Sequence, residues 1–284
     1  MRMRIVYARA PEWAEMAARI DELIGGIGFR ALKTSARTSA GFIRDGARET
    51  FVKRVTGGPW VKGIFERVRG SRAARAVRGA AILEAAGFAH PRPLAAVEAR
   101  AAGAVYASYI LSEPLHEARI LSDFALRDGR NFRRRQRISA RVASEIRRLH
   151  DRGLYTLDLQ ETNLMIAADS AEMTVYFVDL EDFRRARRVT MRRRLLNLVH
   201  LDRSIGRFVS RTQRLRFFYN YLGGKLQHDE ARRLVGRLMK VREREQRQSG
   251  YLTPASGAAN RVGAVDCSCA AAGAELSPPR RMAK

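Results

Sequence analysis

Four side chains have types and spacings that could do chemistry together. Asp158 and Asn163 stand in D-x-x-x-x-N spacing after a helix-like segment that ends near His150 and a turn at Gly153, just before the apolar run Leu164–Ile166. Asp179 follows a second apolar run, Val175–Val178, and Lys53 stands within Phe51-Val52-Lys53. The Asp158 carboxylate could orient an acceptor hydroxyl and take its proton. Asp179 and the amide oxygen of Asn163 are hard oxygen ligands of the kind Mg²⁺ prefers. Lys53 could pair with phosphate. Together they meet the demands of phosphoryl transfer, which asks a protein for positioning and charge neutralisation and little covalent chemistry. Asp158 and Asn163 alone would equally suit a turn and a cap, and Lys53 alone a solvated edge strand; the combination carries the reading.

Several elements must hold these groups in place. Pro11 opens a helix over 11–24 with Trp13, Met16, Ala17, Ile20, Leu23 and Ile24 on one face, and Gly25-Gly26 stops it. Extended segments run from Ala31 to Val55, with a hairpin turn at Asp45-Gly46. An Ala-rich helix over 71–86 ends at Gly87, and His90-Pro91-Arg92-Pro93 forms a stiff exit. Strands at Leu94–Glu98 and Val105–Leu111 complete a small mixed lobe. A helix over 135–150 leads to the Asp158/Asn163 segment. The runs 164–166 and 175–178 form a second hairpin around Ala168–Glu172. Helices over 190–224 and 228–248 follow, broken at Gly223-Gly224, and 249–284 reads as a disordered tail rich in Gly, Ala, Ser and Pro.

Lys53, the Asp158/Asn163 loop and Asp179 occur in the order and at the separations found in kinases, with Phe51-Val52-Lys53 similar to the kinase strand lysine motif. More narrowly, Ser71-Arg72-Ala73-Ala74-Arg75 through Ala85–Ala95, and Leu196–Ser204 followed by Arg214–Tyr221, resemble the lipopolysaccharide kinase family of Kdo kinases and WaaP-type heptose kinases, over roughly residues 30–224. The resemblance implies an α+β, two-lobed protein-kinase-like fold. A helical extension (1–29) would precede an N-lobe (30–114) with a small mixed sheet, a mainly helical C-lobe (115–248) and the tail.

The same resemblance implies ATP and Mg²⁺ as cofactors and a sugar hydroxyl, on Kdo or heptose of the lipopolysaccharide inner core, as acceptor. Lys53 would bind nucleotide phosphate, Asp158 would be the catalytic base, and Asn163 and Asp179 would hold Mg²⁺ and thereby nucleotide. Ser108–Glu113 would enter the hinge, where backbone groups of Glu113 to Leu115 would meet adenine. Three departures stand out. Thr156 occupies the place where such families commonly have His. No acid lies near Ala76, where the helix glutamate that pairs with the strand lysine belongs, and Glu84 and Glu66 are out of register. The phosphate-loop segment Thr34–Gly41 has one glycine.

The 284 residues carry a net charge of +25, and an excess of that size calls for anions to offset self-repulsion. Only six of the 54 basic residues are Lys, an Arg bias that GC-rich coding would also produce. The runs Arg133–Arg135, Arg184–Arg188 and Arg192–Arg194 suit solvated faces, or contact with an anionic sugar acceptor and the headgroups of an anionic membrane surface. Glu181 and Asp182 read as charge balance for those arginines or as aids to Mg²⁺, and His150 as a packing or capping residue.

Charge alone suggests nucleic acid, but the chain has no recognisable zinc finger, KH signature or aromatic RNP pattern, so no specific nucleic acid is expected. Cys267 and Cys269 lie in the tail, which excludes a disulfide framework. No signal-peptide core and no run approaching about 18 apolar residues is present, so a cytoplasmic enzyme, peripheral at the inner membrane's cytoplasmic face, is expected. Two alternatives remain open: a kinase-fold enzyme acting on a protein or small-molecule acceptor, and a catalytically impaired kinase-like scaffold.

Overall fold

The computed structural model describes residues 2–57, 70–101, 104–127, 131–167, 173–223 and 228–251. Residues Met1–Arg244 make one compact unit; of the second, Glu245–Lys284, the described residues run to Tyr251 and are helical.

The chain opens with strand β1 (Arg2–Ala8), helices α1 (Pro11–Ala18) and α2 (Ile20–Gly25), and strands β2 (Phe29–Thr34), β3 (Thr38–Asp45) and β4 (Arg48–Thr56). Helix α3 (Arg72–Ala85) starts at Ser71, whose hydroxyl accepts from the Ala74 amide as an N-cap. Strands β5 (Pro93–Ala101) and β6 (Ala104–Ser112) then complete a six-stranded sheet, ordered β1-β5-β6-β4-β3-β2, with antiparallel pairings throughout. On β4, Thr50 and Val52 are buried; Val52, with Ile43, Val97 and Leu111, joins Met16, Ala17 and Ile20 of α1 and α2 in one apolar core. Because side chains alternate along a strand, Lys53 leaves β4 on the face opposite Val52.

The second lobe begins with β7 (Arg119–Ile120), α4 (Leu121–Arg127) and α5 (Phe132–Asp151). Three short strands follow α5. β8 (Leu154–Thr156) pairs with β11 (Phe183–Arg185), and β9 (Leu164–Ala167) lies between β10 (Thr174–Phe177) and β7. One 3₁₀ turn, Glu161–Asn163, precedes β9, and another, Leu180–Asp182, precedes β11. Helices α6 (Met191–Ile205), α7 (Arg211–Leu222) and α8 (His228–Tyr251) complete the described chain. The core of this lobe gathers Ile138, Val142, Ile146 and Leu149 of α5, Leu195 and Leu198 of α6, and Phe218 of α7. It also takes Ala76, Ala80 and Leu83 from α3, so that helix is built into the larger lobe. A cavity of about 1150 Å³, lined by apolar residues such as Phe124, Leu198, Phe217 and Leu238 and by Arg135 and Arg242, lies within this lobe.

Three expectations from the sequence are corrected, the first being the helix over 11–24, which is two helices, α1 and α2, divided at Arg19. Residues 1–29 are not wholly helical: Arg2–Ala8 is a strand that extends the sheet by pairing with β5. Its alternation is obscured by Arg2 and Arg4 and interrupted by a register shift between Ile5 and Tyr7. The helix expected over 190–224 is two helices. Ser210 and Gln213 form a reciprocal capping box that starts α7 afresh. Glu66, the Ala168–Glu172 turn and residues 252–284 of the expected tail lie outside the described residues; 249–251 continue α8.

Candidate active site

Lys53, half-buried on β4, reaches across to the segment after β10, where its Nζ lies 3.0 Å from Asp179 Oδ1 and 3.6 Å from Glu181 Oε1. Strand β10 delivers Asp179 because Thr174–Phe177 is pinned in register against Leu164–Ala167. The Val178 amide extends that pinning by donating to the Asn163 carbonyl at 3.1 Å.

Asn163 holds Asp158 from the other end of the loop. Its Nδ2 donates to the Asp158 carbonyl at 3.1 Å and approaches Asp158 Oδ2 at 3.4 Å, which makes the amide oxygen the side-chain atom able to act as a ligand. Gln160 Nε2 donates to Asp158 Oδ1 at 2.5 Å. Thr156, buried at the place where the family resemblance implies a histidine, accepts the Asp158 amide on its hydroxyl at 3.2 Å and so braces the loop itself. The Leu157 amide donates to the Asp182 carbonyl at 3.1 Å, and Thr156 pairs with Phe183, so the loop carrying Asp158 and the turn after Asp179 are stitched together. Gly153 permits the approach to β8. Its φ of +76° is left-handed, and a Cβ there would meet the Ala186 carbonyl oxygen at 2.3 Å.

Beneath this loop runs a buried polar chain that sequence reasoning did not find. Asn197 of α6 donates its Nδ2 to the Thr156 carbonyl at 2.7 Å, and its Oδ1 faces His150 Nε2 at 3.1 Å. Since Oδ1 can only accept, Nε2 carries the imidazole proton, and Nδ1 accepts from the Tyr221 hydroxyl at 2.8 Å. Burial pushes His150 down to about 4, against the hydrogen bond that its Nε2 donates to Asn197, which favours the charged form. The Tyr221 hydroxyl is pushed up to about 12, chiefly by burial. The packing role expected for His150 fits both engaged ring nitrogens.

Glu181 departs from its expected place as charge balance for the arginines that follow it. Its side chain is only 5% exposed, and Arg72 and Arg75 of α3 meet it at 2.8 and 3.4 Å. Burial raises its pKa, the neighbouring Asp179 adds to that rise, and Lys53 and Arg72 oppose it. Glu84, one sequence candidate for the helix acid, is exposed on α3. The signal that could have been read is the pair Arg72 and Arg75, one helical turn apart, beside a second acid two residues after Asp179.

At the expected hinge, the Glu113 amide donates to the Arg92 carbonyl at 3.0 Å. That donor is committed, and Pro114 has no N–H, so of the amides over 113–115 only that of Leu115 could serve as a donor there. In the Thr34–Gly41 segment, the Ser35 hydroxyl donates to the Thr38 carbonyl at 3.2 Å and accepts the Thr38 amide at 3.1 Å, closing the β2–β3 turn.

The residues present fit a nucleotide-bound Mg²⁺. Asp179 and the Asn163 amide oxygen supply hard donors, and Mg²⁺ is commonly held by one or two protein oxygens together with substrate phosphates. Among the described residues no group of three or more His, Cys, Asp or Glu is placed to hold a metal without such help. The arrangement of a lysine against one carboxylate, and a second carboxylate held by an amide, can bind polyphosphate and orient a hydroxyl.

No curated protein sequence matches the chain. Among solved structures, WaaP in complex with acyl carrier protein superposes with a TM-score of 0.60 at 19% identity, covering 87% of this chain and 99% of that one. Plasmodium vivax ethanolamine kinase aligns at a TM-score of 0.47 and 8% identity over 82% of this chain and 80% of its own. WbdD aligns at 0.47 and 15% identity, over 77% of this chain and 47% of its own. The first of these supports the kinase-like fold. The sequence model of the lipopolysaccharide kinase (Kdo/WaaP) family matches residues 43–221. On that match the chain belongs to the lipopolysaccharide kinase (Kdo/WaaP) family and is a phosphotransferase whose acceptor is an alcohol group.

Proposed function

We propose that this protein transfers the γ-phosphoryl group of ATP to a hydroxyl of Kdo or heptose in the lipopolysaccharide inner core. The observation that carries the reading is the 3.0 Å contact of Lys53 with Asp179, beside a loop in which Asn163 holds Asp158. Lys53 would turn its ammonium to the upstream phosphates, and the Glu113 carbonyl and Leu115 amide would take the adenine edge. Asp158, held by Asn163 and Gln160, would orient the acceptor hydroxyl and receive its proton as the oxygen attacks phosphorus. Mg²⁺, when bound through Asp179 and Asn163, would neutralise charge that builds on the phosphate oxygens.

Exposed arginines on the same lobe fit the remaining part of the proposal, contact with anionic sugars and headgroups at the cytoplasmic face of the inner membrane. The arginine runs divide into two kinds. Arg184 donates to the Glu181 and Phe183 carbonyls, and Arg194 pairs with Asp151 at 2.7 Å, so both serve the fold. Arg185, Arg187, Arg188 and Arg192 are exposed and suit a membrane surface. Among the described residues no helix is long and apolar enough to cross a membrane. The neighbour solved with acyl carrier protein supports a protein partner of that kind for this chain.

The nucleotide half of the proposal is tested by titrating the full chain with Mg·ATP. Asp179→Ala should abolish binding, whereas Asp158→Ala should keep it and lose turnover. Normal turnover by Asp158→Ala would remove Asp158 from the role of base.

A further inference from the structure

A kinase lysine needs a carboxylate to hold it once nucleotide phosphates and a cation compete for its neighbours. Helix α3 offers none in the usual register. Ala76 is 2% exposed and packs in the apolar core with Leu83 and Leu180, where an unpaired acid would be costly. What α3 presents instead is charge of the opposite sign, Arg72 and Arg75, and both guanidinium groups converge on Glu181.

The geometry points to Glu181 as the positioning residue for Lys53, in place of a helix glutamate, with Arg72 and Arg75 tying its placement to α3. This inference rests on the reading of the site as a nucleotide site. Asp179 is the nearer partner of Lys53, at 3.0 Å, but it is also the carboxylate assigned to a nucleotide-bound cation. When Asp179 turns to that cation, Lys53 retains Glu181 Oε1 at 3.6 Å. That oxygen is fixed by Arg72 at 2.8 Å, and Oε2 faces Arg75, which is itself anchored on the Gly70 carbonyl at 2.8 Å.

The backbone holds the same register. A Cβ on Gly79 of α3 would lie 1.9 Å from the Leu180 carbonyl oxygen, so helix and turn are in direct contact one residue before Glu181. Three cations, Lys53, Arg72 and Arg75, stand against two carboxylates, Asp179 and Glu181. The cluster therefore keeps a net charge of +1 for a polyphosphate to meet. In this arrangement the lysine's partner travels with the segment after β10, and the helix contributes cations.

The test compares affinities of the full chain for a non-hydrolysable Mg·ATP analogue and for adenosine, which has no phosphates. Glu181→Gln keeps the shape and part of the hydrogen bonding to Arg72 and Arg75 but removes the charge facing Lys53. It should weaken the Mg·ATP analogue about tenfold, the scale of one charge-assisted contact, and leave adenosine unchanged. Glu181→Asp should recover part of the loss. Arg72→Gln, at a half-exposed site that folding tolerates more easily, should weaken the analogue in the same direction. Unchanged analogue affinity in Glu181→Gln and Arg72→Gln, or an equal loss for adenosine, would overturn this inference and leave the nucleotide site standing. A wild-type chain that binds neither ligand would overturn both.

Discussion

Asp158 illustrates how a residue's role depends on what restrains it. Its carboxylate is held by Gln160 and its carbonyl by Asn163, while its amide is taken by the Thr156 hydroxyl. Thr156 is held in turn by Asn197, and Asn197 by His150. The loop thus rests on a neutral imidazole, which gives stability a defined pH dependence. An unfolded histidine titrates near 6.5, whereas His150 is pushed down to about 4. Between those values the unfolded chain binds the extra proton, so stability is full above about 6.5 and is lost as pH falls toward 4. The contribution is at most about 3 kcal/mol. Glu181, whose pKa is raised by burial, works in the opposite direction and softens the slope. His150→Gln can keep both hydrogen bonds without the titration. Its denaturant midpoint should change less between pH 7.5 and pH 5 than that of the wild type; equal slopes would contradict the assignment. The sequence displayed Asp158, Asn163, Asp179 and Lys53 because their spacing is local to strands and loops. It hid Asn197 and the role of Glu181, since each depends on partners more than 40 residues away.

Helix α3 sets the approach of the turn Leu180–Asp182 through its small residues. Ala73, Ala76, Gly79 and Ala80 form its buried face, and this lets the turn Leu180–Asp182 approach the helix backbone. Gly79→Ala places a methyl group against the Leu180 carbonyl, an overpacking that should cost about 1–3 kcal/mol and displace Glu181 from Arg72. A lower melting temperature together with weaker Mg·ATP binding is expected; an unchanged melting temperature would show that helix and turn can separate without loss. The helix was legible from Ser71 to Gly87 because its cap and stop are sequence signals. Its attachment to the larger lobe was not, because an alanine-rich face does not say which core it enters. Strand β1 was missed for a related reason: its pairing partner, β5, begins 85 residues after Ala8 leaves the strand. The break between α6 and α7 was readable in Ser210 and Gln213, whose spacing is that of a capping box.

At the scale of the whole molecule, a sheet lobe and a helical lobe meet at Lys53, Asp179 and Glu181. The net charge of +25 covers the entire sequence, but the arginines differ in use. Those at 72, 75, 184 and 194 are bound into the structure, and those at 185, 187, 188 and 192 face solvent. Association with vesicles containing lipopolysaccharide should therefore weaken when the four exposed arginines are changed to Gln, and should weaken in wild type as salt is raised. Binding indifferent to both changes would separate this face from the acceptor. The small sheet lobe and the larger helical lobe were legible in the sequence, as was the order of the candidate site residues; how α3 couples the lobes required the coordinates.

Incubating the purified chain with Mg²⁺, γ-labelled ATP and lipid A that carries Kdo and heptose tests the central claim most directly. The account predicts label on the sugar with wild type and none with Asp158→Ala. Label absent from the sugar in both, under conditions where Mg·ATP binds, would contradict it.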